Sequence, residues 1–270
     1  MDALDFIFNG QRLSDFGFII ASFGEDGDVT PGGISYTTTN TPNSDWKLFS
    51  SIKVDSTVVF NFSIAKLDCT RQPEPIDRYE ESAISKWLER EDGFHQLHFC
   101  QDGYENIYYN AYITITPVII AGRTYGYKLT ATTDNKYAYD FESEYELDTE
   151  ANIECSFIVS SDKTGYIYPQ MEITPYENGN LSLEIKEDVN QSFSVFRNVV
   201  AGKTIKLDCE LGIAENIGDT DNFNWIFPRF LQDYDDTFNT IITTLPCHIK
   251  INYVPRRKVV MWRAKNFSCS

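Results

Sequence analysis

Apolar and polar residues alternate with a period of two in segments spread along the whole chain. In the clearest segments every second residue is apolar: Phe60, Phe62 and Ile64; Leu181, Leu183 and Ile185; Ile205 and Leu207; Ile249, Ile251 and Tyr253. Because successive side chains of a β-strand point to opposite faces, this alternation predicts strands with one buried and one solvated face. Such strands are typical of antiparallel sheets, so the pattern predicts an all-β protein.

One segment departs from this pattern and predicts a short amphipathic helix that ends at Trp87 and Leu88. Asp77 is placed to cap the start of this helix, and Glu80, three residues later, is placed as its capping-box partner. The face predicted to be buried is formed by Tyr79, Ala83, Ile84, Trp87 and Leu88. Gly93 is expected to stop the helix in a left-handed conformation. The fold class expected is therefore all-β with one short α-helix.

An acidic stretch at 140–150 interrupts the strand pattern and is the best candidate for a domain boundary. We place the first domain at residues 1–145 and the second at 146–270. Each is long enough to bury a core of its own.

The segment 24–45 contains many turn-forming residues around a strand-like patch. Glycines and prolines flank Thr37, Thr38 and Thr39, which favour extended backbone. This combination predicts a hairpin that projects from the first domain.

The chain carries 40 acidic and 23 basic residues, for a formal net charge of −17. This charge excludes a general binder of the phosphate backbone, which needs a cationic surface. The N-terminus begins Met1-Asp2-Ala3-Leu4-Asp5, with acids where a signal peptide needs Lys or Arg, and no apolar run reaches membrane-spanning length. We therefore expect a protein of the cytoplasm, without a membrane partner.

The six cysteines are scattered, with no CxxC pair. We expect all of them to be free thiols, because the chain is large and has no sign of secretion. Cys209 is expected to be buried on a strand face that it shares with Ile205, Leu207 and Leu211.

The search for catalytic and metal-binding residues finds no complete site. His95 and His98 lie an odd number of residues apart on a predicted strand, so their side chains should point to opposite faces and not share a metal ion. His248 follows Cys247 directly, and adjacency in a strand does not bring a thiol onto an imidazole. Three strand carboxylates that a glycosidase could use are expected on solvated faces: Glu172, Glu184 and Glu210. We expect no enzyme activity, no metal ion and no cofactor.

A basic segment, Pro255-Arg256-Arg257-Lys258, contrasts with the acidic chain. It could meet an acidic face of a neighbouring copy. It could equally be an edge strand that its charges protect from unwanted pairing. Both interpretations stay open on the sequence alone.

Short motifs along nearly the whole chain resemble the distal tail protein family of siphovirus-type bacteriophages. The motifs that carry the resemblance are Phe6-Ile7-Phe8-Asn9-Gly10, Asp15-Phe16-Gly17-Phe18, Trp87-Leu88, Leu97-His98-Phe99, Tyr108-Tyr109-Asn110-Ala111, Tyr168-Pro169-Gln170-Met171-Glu172-Ile173, Phe227-Pro228 and Phe238-Asn239-Thr240-Ile241. The chain departs from the family pattern at Asp236-Thr237-Phe238, which lacks a glycine, and at Lys136, where the family has proline.

The resemblance implies two β-sandwich domains: an N-terminal ring-forming domain with a belt hairpin, and an outer C-terminal galectin-like sandwich. Family members form hexameric rings that join the tail tube protein to the baseplate or to the tail-tip hub protein. Receptor-binding proteins are further candidate partners, and DNA only passes through the ring. The protein would be assembled in the bacterial cytoplasm and reside in the virion tail. The expected contacts between subunits are Thr37, Thr38, Thr39, Trp46, Arg256, Arg257 and Lys258.

A second hypothesis is a carbohydrate-binding module that recognises host-surface glycans by stacking on aromatic rings such as that of Trp225. The galectin sugar motif is absent from the sequence. Because Trp225 is followed by Ile226 and Phe227, we expect it to pack in the core.

Overall fold

The computed structural model describes residues 5–21, 28–30, 34–40, 47–54, 57–67, 72–188, 193–233 and 237–258, with backbone alone between 28 and 54. The chain divides into two compact units, of which the second spans Asp140–Arg257. The first comprises the residues up to Tyr139, together with Lys258. Both units are built almost wholly from antiparallel strands, as the alternation predicts.

The strands of the first unit are β1 (Phe6–Phe8), β2 (Gln11–Arg12), β3 (Phe18–Ala21), β4 (Asp28–Thr30), β5 (Ile34–Asn40), β6 (Lys47–Val54), β7 (Val59–Lys66), β8 (His95–Phe99), β9 (Tyr109–Ile120), β10 (Arg123–Thr133) and β11 (Ala138–Tyr139). Eight of them form one sheet in the order β2-β1-β8-β9-β10-β7-β3, with β4 also paired to β7. A 3-10 turn at Leu13–Phe16 links β2 to β3.

This sheet curls until its inner face closes on itself. β1 and β7 are four positions apart in the sheet, about 19 Å if it were flat. Yet the rings of Phe6 on β1 and Phe62 on β7 meet edge to face with their centroids 5.5 Å apart. The phenylalanines of β7 and the rings of Phe99 and Tyr109 fill the space between. Aromatic rings therefore occupy the space that the curled sheet encloses.

The single α-helix of the described residues, α1 (Arg78–Leu88), begins as predicted. The Asp77 carboxylate accepts hydrogen bonds from the backbone N–H groups of Tyr79 and Glu80, at 2.7 and 2.9 Å. The Glu80 carboxylate in turn accepts a hydrogen bond from the backbone N–H of Asp77, at 3.1 Å. These bonds satisfy the donors that a helix N-terminus leaves free.

The buried face of α1 is narrower than predicted. Ile84, Trp87 and Leu88 are buried, but Tyr79 is 89% exposed and Ala83 is also exposed. The first turn meets the sheet through a polar pair, in which the Glu80 carboxylate accepts a hydrogen bond from Lys66 of β7 at 2.6 Å, while Tyr79 faces solvent. The predicted role of Gly93 is also wrong. The helix ends at Leu88, and Gly93 lies in the following loop, with a positive φ of 112°.

The strands of the second unit are β12 (Ser143–Thr149), β13 (Glu154–Val159), β14 (Gly165–Ile167), β15 (Gln170–Pro175), β16 (Gly179–Ile185), β17 (Ser194–Val199), β18 (Ile205–Asp208), β19 (Ile213–Glu215), β20 (Phe230–Gln232), β21 (Thr237–Thr243), β22 (Cys247–Tyr253) and β23 (Arg256–Arg257). A five-stranded sheet (β12-β22-β15-β18-β19) and a four-stranded sheet (β13-β21-β16-β17) enclose a common apolar core. The second unit is a β-sandwich.

One loop of the sandwich is anchored by a buried ion pair. The Asp188 side chain is fully buried, and its carboxylate accepts two hydrogen bonds from the Arg229 guanidinium. This guanidinium also lies 3.9 Å from the centroid of the Tyr166 ring. The bond to Asp188 raises the pKa of Arg229 above its ordinary value.

The four cysteines within the described residues, Cys100, Cys155, Cys209 and Cys247, are free thiols as predicted, while Cys69 and Cys269 lie outside them. Cys209 is buried beyond Ile205 and Leu207 as expected, and burial raises its pKa to about 12. Leu211 does not share this face: β18 ends at Asp208, and Leu211, in the turn that follows, is 70% exposed.

Candidate interaction surfaces

The predicted hairpin is present and longer than expected. β5 and β6 pair antiparallel from Ile34 opposite Val54 to Asn40 opposite Lys47, with an irregularity between Thr37 and Thr38. They form a two-stranded sheet of their own, and within the described strands neither pairs with the eight-stranded sheet. The outer edge of each strand can therefore offer backbone N–H and C=O groups to a further strand.

The structure places Thr37, Thr38 and Thr39 on β5, opposite Ser51, Phe49 and Leu48 of β6 respectively. The fourth predicted contact of this region, Trp46, lies outside the described residues, as do residues 41–45.

A second surface is the outer face of the eight-stranded sheet. Three rows of side chains cross it: Val59, Thr132 and Tyr112; Asn61, Thr130 and Thr114; Ser63, Lys128 and Thr116. Gln96 and Asn110 extend the face onto β8 and β9. We call these eleven residues the acid-free face. They include one lysine and no carboxylate, although 40 of the 270 residues are acidic. At the edge of this face, the register places Asp28 of β4 opposite Asn61.

The acid-free face presents mainly hydroxyl and amide groups, with an aromatic pair at one end. The Thr130 hydroxyl donates to the Asn61 side-chain oxygen at 2.9 Å. The rings of Phe94 and Tyr112, which are 50% and 42% exposed, lie 5.7 Å apart. In so acidic a chain, a surface with few carboxylates lets another acidic subunit approach with less repulsion.

The basic segment is partly engaged within its own unit. The Arg257 guanidinium donates to the Asp140 carboxylate at 2.8 Å and to the Ser160 hydroxyl at 3.3 Å. The backbone N–H of Arg256 donates to the Ser161 hydroxyl at 3.0 Å. Because its charge is balanced by Asp140, Arg257 has less to offer a neighbouring copy than the sequence suggests. Contacts of Arg256, Arg257 and Lys258 between subunits stay a prediction.

The histidines of β8 point to opposite faces, as predicted. The His95 ring packs against Phe8 at 5.9 Å, and His98 lies 5.4 Å from the Tyr108 ring on the other face. Burial lowers the pKa of His98, so the neutral imidazole is favoured there. Among the described residues, no group of three or more His, Cys, Asp or Glu side chains is arranged to hold a metal ion.

The strand carboxylates lie mostly where they were expected. Glu172 is half-buried on β15 and pairs with Lys206 at 2.7 Å, and Glu184 is half-buried on β16. Glu210 is exposed but lies in a turn, because β18 ends two residues earlier.

The Asp148 carboxylate accepts a hydrogen bond from the Tyr176 hydroxyl at 2.6 Å and is also hydrogen-bonded to the His248 ring at 3.0 Å. These bonds, that of Tyr176 first, lower the pKa of Asp148.

The expectation that Trp225 packs in the core is wrong. Its side chain is on the surface, and the residue is 49% exposed. Phe223 fills the core position instead, stacked on Phe196 with centroids 4.6 Å apart. A positive φ of 56° at Trp225 turns the chain so that the indole faces outward. The indole N–H donates to the Thr220 carbonyl at 3.2 Å, which holds the ring in place.

Beside Trp225 lies a cavity that the sequence did not indicate. It has a volume of about 120 Å³. Its polar lining residues are Arg197, Asn198, Lys203, Asn216 and Asn222. No Asp or Glu lines it. The only sequence signal was a concentration of asparagines among turn-forming residues, which is equally typical of an ordinary loop.

Both compact units are all-β, and within the described residues no further strand pairs with the β5–β6 hairpin. Open strand edges of this kind can pair with another chain. Residues 1–135 match the family of phage tail protein N-terminal domains, and residues 137–253 match the family of phage tail C-terminal domains. The chain therefore belongs to this family of phage tail proteins.

The crystal structure of SPP1 Dit (gp 19.1), described as a paradigm of the hub adsorption apparatus in phages that infect Gram-positive bacteria, superposes with a TM-score of 0.64 at 11% identity, over 93% of this chain and 98% of that chain. A chain of the phage p2 baseplate, in its activated conformation with Sr, gives a TM-score of 0.49 at 8% identity, over 96% and 99%. No curated protein matches the sequence. The superposition on SPP1 Dit confirms the fold expected from the distal-tail resemblance.

No helix among the described residues is both long and apolar enough to cross a bilayer.

Proposed function

We propose that this phage tail protein is a distal tail hub, which assembles as a hexameric ring between the tail tube protein and the baseplate or tail-tip hub protein. It acts by architecture, without catalysing a reaction. The observation that carries the proposal is the Dit fold over 93% of the chain, together with a hairpin whose edges are unpaired among the described strands.

The hairpin is the element suited to join neighbouring copies. A head-to-tail contact between identical subunits closes into a ring when its rotation divides a full turn. The β5–β6 hairpin would supply one half of such a contact by adding its edge to the sheet of the next copy. Residues 37–39 lie on its first strand, and Trp46 lies next to its second.

The acid-free face suits the other half of the contact. Copies that each carry a charge of −17 repel one another, and the repulsion is smallest where no carboxylates meet. In the proposed ring this face is covered by a neighbour, while the acidic residues remain toward solvent and toward a lumen through which DNA passes without binding.

The second unit is proposed as the outer, galectin-like sandwich, available to receptor-binding proteins or other baseplate subunits. Its boundary at Tyr139 and Asp140 differs by about six residues from the junction predicted after residue 145. The protein would be assembled in the bacterial cytoplasm and function in the virion tail.

The experiment is negative-stain electron microscopy with light scattering, on the purified protein and on its mixture with the tail tube protein of the same phage. We expect closed six-fold rings in at least one preparation. A variant in which a short Gly-Ser linker replaces residues 34–54 should be folded but monomeric in both. The hairpin forms its own sheet, so its removal leaves the eight-stranded sheet intact.

Two point variants test the acid-free face with matched chemistry. Thr114→Glu adds a carboxylate to an exposed strand hydroxyl of this face, and Ser156→Glu does the same on β13 of the second unit. We expect the first to dissociate the ring and the second to leave it whole. A wild-type protein that stays monomeric at high concentration, alone and with the tube protein, would contradict the proposal.

A further inference from the structure

We propose that the Trp225 end of the second unit binds an acidic saccharide, whose sugar ring stacks on the indole and whose carboxylate or phosphate lies against Arg197 and Lys203. This inference is independent of ring formation, because every residue that carries it belongs to the β-sandwich.

The first observation is an exposed tryptophan that the surrounding residues hold rigidly. Trp225 is 49% exposed, and its backbone adopts a left-handed conformation that costs energy in any residue other than glycine. Its indole N–H is already bonded to the Thr220 carbonyl, so the indole offers a ligand mainly its flat face. The apolar C–H face of a pyranose ring is a suitable partner for such a surface.

The loop that carries Trp225 is fastened to β17 on both sides of the indole. The Asn224 side chain donates to the Phe193 carbonyl at 2.7 Å and accepts from the backbone N–H of Val195 at 3.0 Å. The Ser194 hydroxyl donates to the Ile226 carbonyl at 2.6 Å. A tryptophan held in this way loses little conformational entropy when a ligand binds.

The second observation is the charge beside the indole. Arg197 and Lys203 line the cavity with three asparagines and no carboxylate, in a chain whose net charge is −17. The side chains of Asp219 and Asp221, in the adjoining loop, do not line it. Cationic lining in so acidic a protein selects for an anionic group, which a guanidinium recognises through paired hydrogen bonds.

Tryptophan and cavity lie side by side. Phe196 on β17 pairs with Phe223, which places Asn222, a residue of the cavity lining, beside Arg197. Trp225 follows Asn222 by three residues, which is roughly 10 Å at the rise of an extended strand. The Arg197 guanidinium donates to the Asp221 carbonyl at 3.0 Å. The Trp225 indole N–H donates to the carbonyl of Thr220, the residue directly before Asp221. An oligosaccharide that stacks on the indole can therefore place a charged group in the cavity.

The amide groups of the cavity are positioned for sugar hydroxyls. Asn198 and Asn216 both have positive φ, at 54° and 61°, and each has its amide nitrogen bonded within the protein, to Asn222 and to the Thr204 carbonyl. These bonds orient the two amide side chains, whose carbonyl oxygens can accept hydrogen bonds from a sugar.

The test is isothermal titration calorimetry of the full-length protein with β-1,4-linked tetraglucuronate and with cellotetraose, which has the same backbone without carboxylates. We expect tetraglucuronate to bind and cellotetraose to bind about tenfold more weakly. Trp225→Ala should weaken tetraglucuronate at least about tenfold, and Arg197→Gln should weaken it by a similar factor while leaving cellotetraose unchanged.

The controls are Phe238→Ala, an exposed aromatic of β21, and Lys186→Gln, an exposed lysine after β16; both should bind like the wild type. Thermal unfolding confirms that each variant is folded. No binding of either sugar by the wild type, or full binding by a folded Trp225→Ala, would overturn the proposal. Competition by inorganic phosphate combined with no effect of Trp225→Ala would also overturn it, since the site would then be a simple anion site.

Discussion

The indole of Trp87 lies among aromatic rings in the core of the first unit. It stacks on Phe16 with centroids 4.5 Å apart and on Phe6 at 5.6 Å, and meets Phe8 edge-on at 6.3 Å. Its N–H donates to the Phe8 carbonyl at 2.9 Å, and the residue is 4% exposed. A single side chain of α1 thus ties the helix to β1 and to the 3-10 turn after β2.

Two substitutions of Trp87 should separate the contribution of ring packing from that of the hydrogen bond to the Phe8 carbonyl. We expect Trp87→Ala to lower the free energy of unfolding by about 3–5 kcal/mol, because it opens a cavity among the rings. Trp87→Phe should cost about 1–3 kcal/mol, chiefly because the Phe8 carbonyl loses its donor. Chemical denaturation measures both values. Equal losses in the two variants would show that ring packing contributes nothing beyond the hydrogen bond.

His98 makes the stability of the first unit depend on pH. Burial lowers the pKa of His98 below the 6.5 of an unperturbed histidine, so the unfolded chain binds the proton more readily than the folded chain. Stability is therefore complete above about pH 6.5 and falls as the pH drops through the window between the two pKa values. His98→Gln should flatten this fall in thermal unfolding curves recorded from about pH 7.5 to about pH 5.5. An unchanged slope in the variant would contradict the assignment.

At the scale of elements, the two most distinctive pieces of the fold are α1 and the β5–β6 hairpin. The helix was predictable because its cap is local: Asp77 and Glu80 accept hydrogen bonds from backbone N–H groups of the cap and the first turn. The bond between Glu80 and Lys66 of β7 is a tertiary contact that the sequence did not indicate. The presence of a hairpin was predictable, because turn-forming residues flank a strand-like patch. The length of the hairpin was not predictable, because the pairing of Lys47–Val54 with β5 depends on register, which turn residues alone do not determine.

The helix cap can be tested with a matched exposed neighbour. Asp77→Ala removes the acceptor of two backbone N–H groups and should lower the free energy of unfolding by about 1 kcal/mol. Arg78→Ala, at the first and exposed helical position, should change it by less than about 0.5 kcal/mol. Urea denaturation followed by circular dichroism compares the two. If Asp77→Ala were as stable as the wild type, water would replace the carboxylate as the acceptor with no loss of free energy of unfolding.

At the scale of the whole molecule, each compact unit has an apolar core built from its own strands. The cores differ in character. Among the described residues, the core of the first unit holds six phenylalanines and Trp87, whereas that of the second lies between two sheets and holds four phenylalanines. A core complete within one segment of sequence is the condition for independent folding.

We therefore expect a fragment comprising residues 140–258 to fold alone. It should unfold cooperatively, with dispersed amide resonances, because all the strands of both its sheets lie inside it. Heteronuclear NMR and calorimetry of the fragment provide the measurement. A fragment with collapsed resonances and no thermal transition would show that the sandwich needs the rest of the chain.

The sequence by itself determined what depends on residues near one another in the chain. Period-two alternation specifies strands, Asp77 and Glu80 specify where the helix begins, and the parity of His95 and His98 specifies opposite faces. The tertiary structure decided what depends on competition for the core. Phe223 occupies the position expected for Trp225, and Tyr79 stays in solvent on a first turn that meets the sheet through the polar Glu80–Lys66 pair. An apolar side chain can be identified from sequence, but a core has limited volume, and which neighbours fill it is settled only when distant segments pack.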